Sequence, residues 1–248
     1  MTALLRAELL KLRTTSTFLA LTAAAVGTSL LITVLVAVLT EPSEEEVLTD
    51  VFTSDTSSLF ITILAVIGIT GEWRHHTITS ALLAAPDRLR FLSAKTVAFA
   101  AAGLVLSVLI SISITVVGLI ILTVRDLPTP EAGELIEQIA RNAVVAALLG
   151  AFGVGIGALV RNQVVAVVGL LVLGFAVDPL VAALLPEIGR FSPFSALPIG
   201  IQEIPPDNAG LPEDIDVLSP GLAVLAMFAW IAAAFAPGAA LLIRRDLD

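Results

Sequence analysis

The sequence predicts an all-α polytopic membrane protein with six transmembrane helices and cytoplasmic N- and C-termini. Three observations carry this. Hydrophobic residues make up 57% of the 248 positions and the mean hydropathy is +1.01, outside the range of ordinary globular domains. Six apolar runs recur along the chain, and a helix needs ~20 apolar residues to cross a hydrocarbon layer of ~30 Å. Of the 13 Lys and Arg residues, all but Arg125, Arg141 and Arg190 fall in alternate connections, which puts those connections on the cytoplasmic side by the positive-inside rule. The formal net charge of -9 therefore says little about partners, because the two signs are divided across the membrane. With no cysteine there is neither a disulfide nor thiol chemistry.

Residues 1–15 place Leu5, Leu9 and Leu12 on one helical face and Arg6 and Arg13 on another, the pattern of a short amphipathic helix on a membrane surface. The first span is 17–39. Its length exceeds a signal-peptide core and no small-residue cleavage site follows, so it is kept as a span. Residues 41–58 carry Glu41, Glu44, Glu45, Glu46, Asp50 and Asp55 without a Lys or Arg, which marks an external loop. The second span, 58–70, is short, with Ser57 or Ser58 as its cap. The third, 93–124, is longer than one bilayer thickness and has to tilt or protrude. Within it Gly103, Ser107, Ser111 and Thr115 fall every fourth residue, a seam of small side chains. It suits close helix packing first, and a substrate path or subunit seam second.

Residues 125–141 form a second acidic external loop. The fourth span, 140–160, ends in Gly150, Gly153, Gly155 and Gly157; without a preceding strand or a terminal Lys-Ser/Thr these glycines indicate helix packing, not a phosphate loop. Arg161, Asn162 and Gln163 make a polar turn before the fifth span, 164–185. Asp178, followed by Pro179, lies in the outer third of that span, where an ionisable group requires a partner or marks a helix break. Residues 186–220 are external, acidic and proline-rich, with an apolar stretch suited to short helices in the outer leaflet. The sixth span, 221–243, ends at Arg244 and Arg245.

The most informative stretch is 71–92. Thr77 suits an N-cap, Ile78, Ala81, Leu82 and Ala85 recur at helical spacing, and Pro86 ends the turn. A two-turn helix is marginal alone in water, so its apolar face belongs on the bilayer or in a groove of another protein. Trp73 suits an interfacial anchor, and Arg88, Arg90, Phe91 and Lys95 suit anionic headgroups or a partner's acidic patch. Glu72, His75 and His76 match neither zincin order, and no other histidine exists to complete a metal site. There is no Walker A sequence and no serine-protease nucleophile pattern, so no catalytic site is expected on the chain and any ATP chemistry belongs to another polypeptide.

Three pieces of the chain resemble the membrane subunit of type-2 ATP-binding-cassette (ABC) exporters, in their small single-domain bacterial form. They are ELLKLRTT at Glu8–Thr15, ITGEWRHHTITSALLAAPDRLRFLSAKTVA at Ile69–Ala98, and VDPLVAALLPEIGRFSPFSALP ending at Pro198. The resemblance implies a permease of the bacterial cytoplasmic membrane, working as two permease subunits with two ATPase subunits that carry the ATP and Mg. It implies that a coupling helix, Thr77 to Ala85, docks into the ATPase. Glu72, Thr77, Ile78, Ala81, Leu82, Ala85 and Arg88 would then make that contact, supported by Arg6, Lys11, Arg161 and Asn162. Glu72 would pair with Arg74 or with an ATPase residue. The substrate path would run between permeases, with Gly103, Ser107, Ser111, Thr115 and Asp178 as candidates for it or for the permease seam. Apolar, lightly hydroxylated spans suit a hydrophobic or amphipathic substrate: a drug, a lipid or a peptide. The competing class is an ATP-independent channel or secondary carrier, for which Asp178 is the one charged residue noted inside a span.

Overall fold

A computed structural model describes residues 2–43, 46–75, 77–79, 83, 87–160, 162–206, 208–212 and 215–244. Every regular element among them is helical: α1 (Thr2–Thr14), α2 (Ser16–Leu39), α3 (Val47–Phe52), α4 (Ser57–Arg74), α5 (Arg88–Val124), α6 (Ala132–Leu159), α7 (Gln163–Val172), α8 (Asp178–Leu184), α9 (Pro186–Gly189), α10 (Ala196–Gln202) and α11 (Pro220–Arg244). Six helical stretches are long and apolar enough to cross a membrane: Ser16–Leu39, Val47–Arg74, Arg88–Val124, Ala132–Leu159, Gln163–Leu184 and Pro220–Ile243.

Hydrogen bonds between helix ends show how these stretches alternate. At one end, rich in basic residues, Arg74 Nη1 donates to Gln163 Oε1 at 3.3 Å, and Arg88 Nη1 donates to the carbonyls of Leu242 (2.5 Å) and Ile243 (3.1 Å). At the other, Arg125 Nη1 donates to the carbonyls of Ala37 (2.7 Å) and Thr40 (2.8 Å), and Arg141 Nη1 to that of Gln202 at 3.1 Å. Arg88 and Arg125 occupy carbonyls that a helix C-terminus leaves unpaired, where a cation also complements the helix dipole. The C-terminal end of α11 lies at this basic end, and Lys11 of α1, which donates to Glu72 near the end of α4, places the N-terminal helix there too.

The bundle is built around α6. In its most apolar window 78% of residues are buried, against 17% in Gln163–Leu184. The glycines explain how. A Cβ on Gly150 would stand 2.7 Å from the Phe99 carbonyl oxygen, and one on Gly153 2.7 Å from that of Thr62, so α4 and α5 approach α6 to backbone contact. The small-residue seam of α5 serves the same packing, for a Cβ on Gly103 would lie 2.5 Å from the Ala146 carbonyl oxygen. A second seam, Ala25, Ser29, Thr33 and Ala37, is the buried stripe of α2.

Several boundaries differ from the sequence expectation. Helix α4 continues to Arg74 and α5 begins at Arg88, so Glu72 and Lys95 both sit inside helices. Helix α6 starts at Ala132, within the expected acidic loop, because Glu131 and Glu134 form a reciprocal capping box there. The expected loop 41–58 contains α3, whose Val47, Val51 and Phe52 are buried. Between α7 and α8 the chain makes a π-helical turn, Leu173–Val177, closed by the Asp178 N–H to the Leu173 carbonyl. Pro179, next in the chain, has no N–H with which to continue an α-helical ladder, and a widened turn accommodates it. Helix α10 does not face lipid: Ala196 to Ile201 are all buried, with Leu197 and Ile201 in the cluster that includes Leu149, Phe152, Ala223 and Met227.

Candidate functional site

One apolar side of helix α1 packs on the bundle. Leu4, Leu9 and Leu12 pack against the bundle core, and Glu8, one turn from both Leu4 and Leu12, is carried inward with them. There it meets the side chains of Glu72 from α4 and Lys95 from α5. Lys95 Nζ donates to Glu8 Oε2 at 2.7 Å, lies 2.8 Å from Glu72 Oε1 and reaches the Gly68 carbonyl at 3.4 Å. Lys11 Nζ donates to Glu8 Oε1 at 2.8 Å and to Glu72 Oε1 at 3.1 Å. Two carboxylates and two ammonium groups thus form one neutral cluster that ties three helices together. Lys95 is only 1% exposed, and Glu8 and Glu72 are 7% exposed.

Burial alone would push the Glu8 carboxyl up. The charges and hydrogen bonds of Lys95 and Lys11 outweigh it and hold Glu8 below the ordinary carboxylate range. Burial likewise opposes the Lys11 charge, and Glu8 and Glu72 more than offset it, raising the ammonium above its ordinary value. Both lysines converge on Glu72 Oε1, and the buried Oε2 has no hydrogen-bond partner among the described residues. Beside the cluster is a cavity of about 820 Å³, walled by α1, the start of α2, the end of α4 and the start of α5.

This geometry corrects several expectations for an ATPase contact. Glu72 is committed to the cluster and pairs with the two lysines, not with Arg74, while Lys11 gives two of its three donors there. Lys95 is buried, so it meets neither headgroups nor a partner's acidic patch. Arg88 reaches the last turn of α11. Ile78 is 5% exposed and joins the core cluster of Leu12, Phe91 and Leu92, so it is not offered outward. Thr77 folds back on Glu72, with its N–H 3.0 Å from the Glu72 carbonyl. Ala81, Leu82, Ala85 and Arg161 lie outside the described residues. Arg6 is exposed. Asn162 caps α7, its Oδ1 accepting from the N–H groups of Val164 and Val165 at 3.0 and 3.2 Å. Among the described residues between α4 and α5 the outward apolar side chain is Leu83, 78% exposed, which lies off the expected helical stripe.

The candidates for a substrate path or permease seam are engaged within the chain. Ser107 and Ser111 both donate to Asp55 Oδ2, the latter at 2.9 Å, while Asp55 Oδ1 accepts the Ser57 N–H at 2.8 Å. Asp55 is therefore half-buried against α5, not displayed on an external loop. Asn142 Nδ2 donates to Ser111 Oγ at 3.1 Å, and its Oδ1 accepts from Gln138 (2.9 Å) and Gln202 (2.7 Å), extending the polar layer into α6 and α10. Thr115 returns its hydroxyl to the Ser111 carbonyl. Asp178 holds the turn before α10, accepting from the Ser195 hydroxyl at 2.7 Å and the Phe194 N–H at 3.2 Å. Among the described residues no three His, Cys, Asp or Glu side chains converge as metal ligands do.

Glu8 and Asp55 are not singled out as site residues by the sequence, and Lys95 is assigned there to headgroups or a partner instead of to the interior. A signal existed for Glu8 and Lys95: an ionisable residue on the apolar face of a helix, or just inside an apolar run, requires an opposite charge. Glu8 and Lys95 satisfy that requirement for each other across 87 residues of chain.

The cluster makes two predictions. Lys95→Met leaves two buried carboxylates sharing Lys11 alone and lowers the stability of the detergent-solubilised protein by about 3–5 kcal/mol. Adding Glu8→Gln restores part of that loss, and thermal unfolding of both single variants and the pair measures the coupling; additive losses would contradict a direct Glu8–Lys95 interaction. The second concerns pH. Because the Glu8 value is lowered, its stabilising contribution is complete above the ordinary carboxyl value of about 4.3 and drains away as pH falls through the depressed one. Because the Lys11 value is raised, its contribution is complete below the ordinary lysine value of about 10.4 and is lost as pH rises through the elevated one. Limited proteolysis of α1 is expected to be slowest on the plateau between these limits and to accelerate on both sides.

A scan against protein-family models finds no match to this chain, and a search of curated proteins likewise returns none.

Proposed function

We propose that this chain is the membrane subunit of an ATP-driven exporter of the type-2 ABC permease family, in a bacterial cytoplasmic membrane, with its basic end in the cytoplasm. Two such subunits, identical or paired with a sister chain, work with two separate ATPase subunits that bind ATP and Mg. The substrate is hydrophobic or amphipathic. The observation that carries the reading is mechanical: the segment between α4 and α5 starts and ends on helices that the Glu8–Lys11–Glu72–Lys95 cluster ties to each other and to α1. Arg88, at the segment's close, is hydrogen-bonded to the end of α11. A partner gripping this segment would therefore displace α1, α4, α5 and α11 together, which is what a coupling element must do. The resemblance of Ile69–Ala98 to such permeases and the six membrane-length helices support the same reading.

Leu83 is the apolar side chain that the described part of this segment offers outward, and burial of such a side chain in a partner's pocket is worth more than about tenfold in affinity. Leu83→Arg is accordingly expected to abolish copurification with a co-expressed cognate ATPase and stimulation of its ATP hydrolysis, while the variant stays monodisperse. A monodisperse Leu83→Arg protein that still copurified and stimulated hydrolysis as the wild type does would defeat the docking assignment.

A second reading, an ion-coupled carrier, is favoured by Asp55, a carboxylate bonded to α5 hydroxyls with no cation bonded to it among the described residues. In that case Asp55→Asn eliminates a flux that a proton or sodium gradient drives in proteoliposomes without any ATPase. In the exporter reading such a flux is absent from the wild type as well, so one pair of measurements separates the two.

A further inference from the structure

The cavity beside the ion cluster has a wall chemistry that the cluster does not explain. Leu4, Phe18, Leu64, Ile67 and Phe99 line its interior, and its volume of about 820 Å³ falls in the range of small-molecule sites, ~300–1,000 Å³. The polar groups that complete the lining are mostly cationic or neutral donors: Lys11, Arg74, His75 and Gln163.

Counting donors shows where a ligand's polar end belongs. Lys95, buried, donates to Glu8 and the Gly68 carbonyl and is ion-paired with Glu72, so it is engaged within the cluster. Lys11 uses two of its three on Glu8 and Glu72. Arg74 gives one of five to Gln163, at 3.3 Å, and its side chain is exposed. Glu8 and Glu72 are the two acids in the lining, and the two lysines neutralise both. The lining thus carries a net positive charge, from Arg74, with unused donors at its polar edge and hydrocarbon walls within. A free inorganic anion would leave those apolar walls unfilled, and a neutral apolar molecule would leave the donors unused.

We infer that this cavity, between α1 and the ends of α4 and α5, binds an anionic phospholipid from the surrounding leaflet, with its phosphate on Arg74 and Lys11 and acyl carbon between α1 and the α4–α5 wall. Charge complementarity selects this occupant. Helix α1, held on by Glu8, forms the outer wall, so the bound lipid and the ion cluster share one closing element. Nothing in this site depends on an ATPase, so its success or failure is independent of the exporter reading.

Native mass spectrometry of the full chain, released from mixed micelles containing phosphatidylglycerol or phosphatidylcholine with the same acyl chains, tests it. The wild type is expected to retain one phosphatidylglycerol in preference to phosphatidylcholine. Arg74→Gln reduces that preference about fivefold, the effect of one basic residue at an anionic surface. Ala7→Trp, which fills the cavity from the α1 side, removes retention of both lipids; Thr17→Trp does the same from α2 and serves if the first variant is not monodisperse. Arg190→Gln, at the opposite end of the bundle, leaves the preference intact. Equal retention of the two lipids by the wild type, wild-type retention in monodisperse cavity-filled variants, or an equal loss in Arg190→Gln would overturn the assignment. So would displacement of the lipid by an equimolar amount of inorganic phosphate, which would make the site one for a free anion.

Discussion

An ammonium group at 1% exposure inside an apolar helix bundle is the constraint from which the architecture of the basic end follows. Removing Lys95 from water is unfavourable by several kcal/mol, and only closely placed acceptors offset that loss. Helix α5 supplies none of the three it uses. The chain recruits Glu72 from α4, Glu8 from α1 and the Gly68 carbonyl, and Lys11 then balances the second negative charge. Such a cluster is a weak source of net stability, since an apolar replacement of equal volume often does as well. What it specifies is position. A leucine at residue 8 would hold α1 against the core in several registers; a carboxylate must meet Lys95 in one.

The opposite end solves its polar problem differently. There Asp55, Ser107, Ser111, Asn142, Gln138 and Gln202 form a layer of hydroxyls, amides and one carboxylate across the turn before α4 and helices α5, α6 and α10. Hydrogen bonds between such groups are directional but individually modest, about 0.5–1.5 kcal/mol net. Helix α6 runs between the two regions with backbone-to-backbone contacts at Gly150 and Gly153, leaving little room for its neighbours to slide. The bundle thus has a close-packed middle, an ionic joint at one end and an amide-hydroxyl layer at the other.

The six membrane-length helices were legible in the sequence because hydrocarbon thickness acts on each run separately, and each run declares itself by length and apolarity. The glycines of α6 were legible as packing residues for a similar reason: four within eight positions of an apolar helix have few other uses. The cluster was not. Amphipathic counting gave α1 a stripe of Leu5, Leu9 and Leu12 and ignored Glu8, whereas the buried side of the helix carries Leu4, Glu8 and Leu12. Lys95 was read as interfacial because it lies near the start of an apolar run, and the extension of α5 back to Arg88 is what places it in the interior. Asp55 was assigned to a loop because acidic residues precede it, and only the return of α5 alongside α4 brings Ser107 and Ser111 to it. Each miss is a pairing across more than fifty residues, which no local periodicity encodes.

An ionic joint also differs from an apolar one in how it yields. Two greasy faces lose contact progressively as they separate, since burial energy follows area. A cluster of four charges does not: once α1 moves far enough for Glu8 to leave Lys95, Lys95 and Glu72 must be rewetted or paired anew, so intermediate positions are unfavourable. The cavity lies against this joint and shares α1 as a wall, so a movement of α1 that opened the joint would also change the shape of the cavity. Any ligand that fits one shape better than the other biases the joint by its difference in affinity, and by the same linkage any force on the segment between α4 and α5 changes the cavity's affinity. Coupling between the basic end and the cavity requires no longer pathway than the four side chains, Glu8, Lys11, Glu72 and Lys95, that both have in common.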